Sequence, residues 1–328
     1  MLSPNVMKAI EPDRFVDTLR ASLRTGGAPY YLFYSSLWDG FVRDRALMVA
    51  PFDDHLVHRG DGVFETVKCV AGAAYNLEAH LQRLQRSAHG IGLTFRRGVE
   101  GIREKVLEAL EAAGQPECSV RIVLSRGPGG MGAAPSESTG SVLYVLVYAA
   151  GRPFMEQHPE GATLRRSQVP PKPPAFATSK TCNYLPNALM RAEAELFGVD
   201  FVVGVDARGY ITEGATENIG MVSKNGQLVF PPLDAVLAGT TMLRAAELAR
   251  ELEAEGRLKG ILFRPVREEE LYEAREVLVL GTTLDVASAV AYNGRAVGNG
   301  KPGPVGQALD ARIRRDAREN QALRIRFC

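Results

Sequence analysis

The chain has 328 residues, enough for two domains of ordinary size and for a core that needs neither disulfides nor a structural metal. A formal net charge of +1 leaves no electrostatic footprint for nucleic acid or a membrane surface, so a small neutral or anionic ligand is the simpler expectation. Its four cysteines, Cys69, Cys118, Cys182 and Cys328, lack C-x-x-C or Cys/His metal spacing, and no leader or membrane-length apolar run is visible. A cytoplasmic protein with free thiols and no bound metal is expected.

In chain order, residues 5–24 carry a weak helical pattern (Val6, Ile10, Phe15, Leu19, Leu23) broken by Pro12, read as an N-terminal helical extension, 1–24, packed on the main body. Strands are expected at 30–38, 46–51 and 62–70. Leu77, Leu81, Leu84 and Ala88 recur at helical spacing after Asn76, a candidate cap. Ile102, Val106 and Leu110 mark a second helix closed by Gly114, and strands follow at 119–125 and 141–150. This makes a small α+β domain over 25–150, followed by a linker, 151–160, that opens at Gly151-Arg152-Pro153.

The larger second domain, 161–328, begins with a strand near 162–167 and a proline run, 170–174. Lys180 stands just ahead of an amphipathic helix, 188–197. Hairpins are expected over 201–211 and 219–230, the second turning at Asn225-Gly226. A helix over 241–255, strands at 260–265 and 276–281 around a short helix at 268–274, a hairpin at Asn293-Gly294 and a final helix over 305–320 complete the chain.

Three turns in this half carry groups suited to an anionic heterocycle. L-A-G-T-T (237–241) sets two threonines at a helix N-terminus, where unpaired N–H groups and partial positive charge suit a phosphate. G-T-T (281–283) closes a strand with more hydroxyls. E-G-A-T-E-N (213–218) supplies Glu213 and Glu217, and a carboxylate against a ring nitrogen keeps that nitrogen protonated.

Lys180 with N-Y-L, then E-G-A-T-E-N, L-A-G-T-T and G-T-T, in this order, resembles the fold-type IV pyridoxal-phosphate enzymes, the branched-chain aminotransferase-like superfamily. In the first half R-G-D-G-V-F-E-T-V-K (59–68) and H-L-Q-R-L-Q-R-S-A (80–88) resemble that family's N-terminal motifs, so the likeness spans about residues 30–315. It implies a two-domain α+β / α/β fold of the D-amino acid aminotransferase type, with pyridoxal 5′-phosphate at the domain interface. It also implies a homodimer acting on an amino acid and a 2-oxo acid by ping-pong transfer. Residue by residue, Lys180 would form the Schiff base, Glu213 would meet the pyridine nitrogen, and Arg83 would be a bidentate phosphate donor. Thr240, Thr241 and Thr282 would add phosphate contacts, Tyr184 would approach the phenolic oxygen, and Asn218 would order its turn.

The substrate follows from the first domain's loops. Phe64, Met131 and Ala133 stand where the D-amino acid transaminases of the family carry their carboxylate trap. S-R-G-P-G-G-M-G (125–132) lacks the second arginine of the aminodeoxychorismate lyase pattern. The G-M-G and Arg121 fit the branched-chain type, whereas Lys68 and the Asn183-Tyr184 spacing fit the D-amino acid relatives. Arg121 and Arg59 are candidates for the substrate carboxylate, Phe64 for an apolar side-chain pocket, and Thr283 for the substrate side of the last turn. Arg126 and the five histidines read as structural. The expected activity is transamination of a small, apolar, branched-chain-like amino acid. Pyruvate release from an aminodeoxychorismate-like substrate and D-amino acid transamination are the alternatives.

Overall fold

Alternating apolar side chains build the first sheet, and its order is set by hairpins. The computed structural model describes residues 9–23 and 29–328. Strands β1 (Tyr30–Ser35), β2 (Gly40–Val42), β3 (Gly62–Val70), β4 (Ala73–Tyr75), β5 (Cys118–Ser125) and β6 (Val142–Ala149) form an antiparallel sheet, with β16 (Arg324–Arg326) added at its edge. The order is β16-β4-β3-β5-β6-β1-β2. The last strand therefore returns to the first sheet, although the sequence reading keeps all of 161–328 with the second unit.

Helices α1 (Pro12–Ser22) and α2 (His55–Arg59) lie at this unit's surface and loop side. Helices α3 (Leu77–Gly90) and α4 (Gly98–Ala113) cover one face of the sheet. Val63, Val67 and Cys69 of β3 and Val120, Ile122 and Leu124 of β5 pack there against Leu81, Leu84, Val106 and Leu110. Phe64, Thr66 and Lys68 take the opposite face, as a period of two requires.

The second unit is a mixed sheet of β7 (Ala162–Arg166), β8 (Phe201–Val205), β9 (Ile211–Gly214), β10 (Asn218–Val222), β11 (Leu228–Phe230), β12 (Ile261–Phe263), β13 (Glu276–Gly281), β14 (Asp285–Tyr292) and β15 (Arg295–Ala296). Its helices are α5 (Phe154–Gln157), α6 (Pro174–Ala177), α7 (Leu185–Phe197), α8 (Thr240–Ala254), α9 (Glu268–Glu273) and α10 (Pro304–Glu319). Both faces of β13 are covered: Val277 and Val279 enter one core, Leu278 and Leu280 another beneath α8 and α10. That is why its sequence reads as an unbroken apolar run.

Three expectations need correction. Residues 46–51 are not a strand: the Asp44 carboxylate accepts from Ala46 N at 3.0 Å and starts a short 3-10 turn, while the strand lies at Gly40–Val42. Pro12 opens α1 instead of breaking it, since the first helical position needs no N–H. None of α1's residues is buried, and its tie to the body is Arg20 Nε to Asp44 at 2.7 Å; residues 5–8 and 24 of the expected helix lie outside the described residues. Finally, Asn76 makes no side-chain cap and sits in the left-handed region, φ 57°, with its N–H donated to Leu323 O. No helix among the described residues is long and apolar enough to cross a membrane.

The start of α10 shows how a buried carboxylate locks a helix to the sheet. Glu276 of β13 accepts from Val305 N at 3.0 Å and Gly306 N at 2.7 Å, satisfying orphan amides in the first turn. Glu276→Ala is expected to lower unfolding stability by about 1–3 kcal/mol, the cost of unsatisfied buried donors. A shift of the urea midpoint to lower concentration measures it, and an unchanged midpoint would contradict the helix-locking role.

Candidate active site

The site lies where the two units meet, and backbone pairing builds it. Thr181 bridges Val63 in antiparallel fashion, Phe64 N donates to Lys180 O at 3.1 Å, and Cys182 N donates to Gly62 O at 2.8 Å. Lys180 N in turn donates to Ser87 Oγ of α3 at 3.0 Å. Lys180 is thus held by two elements, β3 and α3, before its side chain is considered. Gly60, at φ 65°, permits this approach, because a Cβ there would press on the Asn183 backbone at 2.9 Å.

Around Lys180 opens a cleft of about 740 Å³, open mouth included. It brings together ten residues singled out from sequence. Phe64 and Arg121 come from the first sheet, and Arg83 from α3. Lys180 and Tyr184 come from the joining loop, and Asn218, Thr240, Thr241, Thr282 and Thr283 from the second unit. Glu213 lines an adjoining recess that shares Lys180, Tyr184 and Asn218.

Of the predicted set, Arg59 is the exception. Its Nη2 donates to Met131 O at 2.5 Å and to Gly132 O, so it braces the 130–132 loop and does not line the cleft.

Lys180 Nζ sits 4.4 Å from the Phe64 ring centroid and 5.8 Å from that of Tyr184, and the two rings meet edge to face at 5.1 Å. Burial against these rings penalises the ammonium, and Arg83 adds repulsion. Attraction from Glu65 and Glu213 offsets only part of this, so the amine titrates at about 8 instead of 10.5. Burial pushes the Tyr184 phenol upward, with Glu213 and Glu217 adding to the shift.

At one end of the cleft, α8 begins at Thr240 with Gly239 as an N-cap that makes no side-chain bond. The first intrahelical bond runs from Leu243 N to Gly239 O, so the three amides before it have no acceptor inside the helix. A Cβ on Gly239 would collide with Asn218 Oδ1, and Asn218 Nδ2 donates to Leu237 O at 2.9 Å. Asn218 therefore holds the 237–239 turn and not only its own.

Arg83, also at this end, differs from expectation. Its Nε–Nη2 fork is taken by Glu65 at 2.7 Å per bond, and Nη1 donates to Ala238 O at 3.2 Å. Three of its five N–H groups are engaged, which leaves two for the cleft.

At the other end Glu213 accepts from Leu237 N at 3.0 Å and lies 3.5 Å from Lys172 Nζ. Lys172, Glu65, His80 and Ser87 were not singled out as site residues. A signal for Glu65 was present: it is a carboxylate at a core-facing register of an apolar strand.

The arrangement offers a partly neutral amine between a carboxylate recess and an anion-accepting helix end, chemistry suited to a phosphorylated carbonyl compound. Comparisons with known proteins agree. Residues 62–292 match the family model described as amino-transferase class IV. A D-amino-acid transaminase from the chloroplast of Arabidopsis thaliana is 37% identical over 88% of this chain and 77% of that protein. A putative branched-chain-amino-acid aminotransferase of Methanocaldococcus jannaschii is 28% identical over 87% of this chain and 96% of that protein.

Among solved structures, the T.th. branched-chain amino acid aminotransferase with pyridoxamine 5′-phosphate shares the fold at TM-score 0.84 and 23% identity, covering 92% of this chain and all of that one. The 4-amino-4-deoxychorismate lyase of Pseudomonas aeruginosa gives TM-score 0.70 at 26% identity over 87% and 99% of the two chains. The two-unit fold expected from the motifs is thereby borne out, and with the model match over residues 62–292 the chain belongs to the class IV aminotransferase family.

Proposed function

We propose that the chain is a pyridoxal 5′-phosphate-dependent aminotransferase that moves the amino group of a small apolar amino acid to a 2-oxo acid. The observation that carries this reading is Lys180, fixed by backbone pairing in the cleft floor with its amine titrating at about 8.

The residues fit the cofactor. The amides and hydroxyls of Thr240, Thr241 and Thr282 with the two free Arg83 N–H groups suit its phosphate, and Glu213 suits its ring nitrogen. When bound, it supplies an aldehyde that bonds amines and a ring that withdraws electrons from the substrate Cα. Lys180 Nζ would hold that aldehyde, and its free amine would accept the substrate Cα proton. Lys172 Nζ lies 3.5 Å from the Glu213 carboxylate, which would favour a protonated ring nitrogen. Arg121, whose Cζ lies 5.1 Å from the Phe64 ring centroid, reaches the open side of the cleft and is the residue we assign to the substrate carboxylate.

A D-configured donor is the second reading, favoured by the 37% identity to the chloroplast D-amino-acid transaminase. We place the enzyme in the cytoplasm, where four free thiols are at home. We also propose a homodimer. Phe52, Val57 and Met131 near the 130–132 loop, and Leu185 and Leu189 on α7, are large apolar side chains left exposed on one protomer. A monomer by sedimentation would refute the dimer.

Mixing the enzyme with single D- or L-amino acids, without acceptor, is expected to convert the cofactor absorbance with small apolar donors of one configuration. Steady pyruvate release with no oxo acid present would instead support a lyase. Lys180→Ala is expected to cut transamination by about 10²–10⁴-fold or more, the range for loss of a positioned base. Full activity in that variant would remove the basis of the assignment. In cofactor-free enzyme, addition of the phosphorylated aldehyde to Lys180 is expected to accelerate as pH rises through about 8, because the ammonium dominates below that value. An acceleration centred near 10.5 would show that the cleft does not activate the lysine.

A further inference from the structure

Thr240, at the helix end, terminates a buried chain of side chains that begins at a carboxylate. Glu65 is fully out of solvent and accepts both arms of Arg83. Its Oε2 is also 2.7 Å from His80 Nδ1, and His80 Nε2 lies 3.2 Å from Thr240 Oγ1. His80, which sequence alone reads as structural, therefore touches a residue of the cleft.

Glu65 fixes the direction of the protons along this chain. Burial would raise its pKa, but Arg83 and then His80 more than offset that and hold it at about 2, so it is ionised. An ionised carboxylate only accepts, and His80 Nδ1 must carry the hydrogen between them. Nε2 then bears a proton only in the imidazolium. With His80 neutral, Nε2 accepts the Thr240 O–H, and the hydroxyl turns lone pairs toward the cleft. With His80 cationic, Nε2–H donates to Thr240 Oγ1, and the hydroxyl proton is free to donate into the cleft.

We propose that His80 is a proton-linked positioning residue: it converts the Thr240 hydroxyl from acceptor to donor, so that a phosphate dianion binds at the α8 N-terminus together with one proton. This rests on reading that end of the cleft as the phosphate end.

The proton comes from solvent and no covalent bond changes. Burial of the ring opposes its protonation until an anion arrives. Glu65 on β3 favours the cation, while Arg83 on α3 and Lys180 on the joining loop disfavour it. Lys68 and Asp285 face the small cavity beside the ring, but they form a 2.7 Å pair with each other. Tyr75, also there, is bonded to Asp316. Burial of the ring, its largest influence, lowers its pKa below 6.5, so without an anion it is neutral near pH 7. Two negative charges at Thr240 offset Arg83 and Lys180 and raise it. Proton uptake is thus expected between the free and bound values, and disappears below the free value, where His80 is already charged.

Titration calorimetry of pyridoxamine 5′-phosphate into cofactor-free, full-length protein tests this at neutral pH, in buffers of different ionisation enthalpy. Pyridoxamine phosphate avoids the proton changes of bond formation at Lys180. Wild type and Thr240→Ser, which keep the hydroxyl, are expected to take up about one proton more per site than His80→Gln or Thr240→Val. The His80 ring resonance, identified among five histidines by its loss in His80→Gln, should titrate at higher pH with ligand than without. Equal proton uptake in all four proteins, or an unmoved His80 titration, would overturn the proposal while leaving the cofactor assignment standing. If His80→Gln does not fold, the Thr240→Val and Thr240→Ser pair makes the same comparison with the ring in place. Failure of the wild type to bind the probe at all would sink the cofactor reading itself, and this inference with it.

Discussion

Three residues of β-like pairing, 62–64 against 180–182, are what the site depends on. Each backbone hydrogen bond contributes only about 0.5–1.5 kcal/mol net, but together they specify where the lysine backbone sits relative to the first sheet. The pairing needs empty space at Gly60 and Gly62, whose Cβ atoms would press on the backbone of Asn183 and on Leu124 O. Because Phe64 belongs to the same pairing, the ring that desolvates the Lys180 amine arrives in register with it. Position and reactivity of the lysine thus have a common origin.

Charge then orients whatever enters. Lys180 has cations and anions on both sides, and its amine is shifted downward because burial and Arg83 together outweigh the attraction of Glu65 and Glu213. The α8 end, with unpaired amides and Arg83, favours negative charge, while the Glu213 recess favours a proton donor. A ligand with an anionic arm and a basic ring nitrogen can satisfy both ends in one orientation only. Glu65 spends much of Arg83's hydrogen-bonding capacity behind the cleft wall, so the guanidinium is a fixed part of the wall.

Much of this was legible from residues. Asn225-Gly226 and Asn293-Gly294 mark hairpins at β10–β11 and β14–β15. The apolar run at β13 and the threonines opening α8 also fall where the sequence places them. What escaped has local causes. A side-chain cap at Asp44 overrides the apolar pattern of 46–51. Strand β16 alternates arginine with a single Ile325 and carries no apolar run, since it pairs at an edge. Arg59 reads as a ligand-binding cation, but its Nη2 is bonded to carbonyls of the 130–132 loop, a contact between segments about seventy residues apart. His80 and Glu65 were quoted within motifs and passed over because each, taken singly, resembles an ordinary core polar group. Only the fold shows that Glu65, His80 and Thr240 are consecutive links.

A gradient of burial runs across the cleft and separates two kinds of constraint. At the α8 end Glu65, His80, Arg83 and Thr240 are all buried and linked by hydrogen bonds, so replacing any one leaves a partner unsatisfied in a low-dielectric wall. At the open side Arg121 and Thr283 are exposed, and substitutions there cost little stability. A change of substrate can therefore proceed at the rim without disturbing the buried network. Of the residues that mix features of several related activities, Arg121 lies exposed at that rim, whereas Phe64 is buried and Lys68 is paired with Asp285.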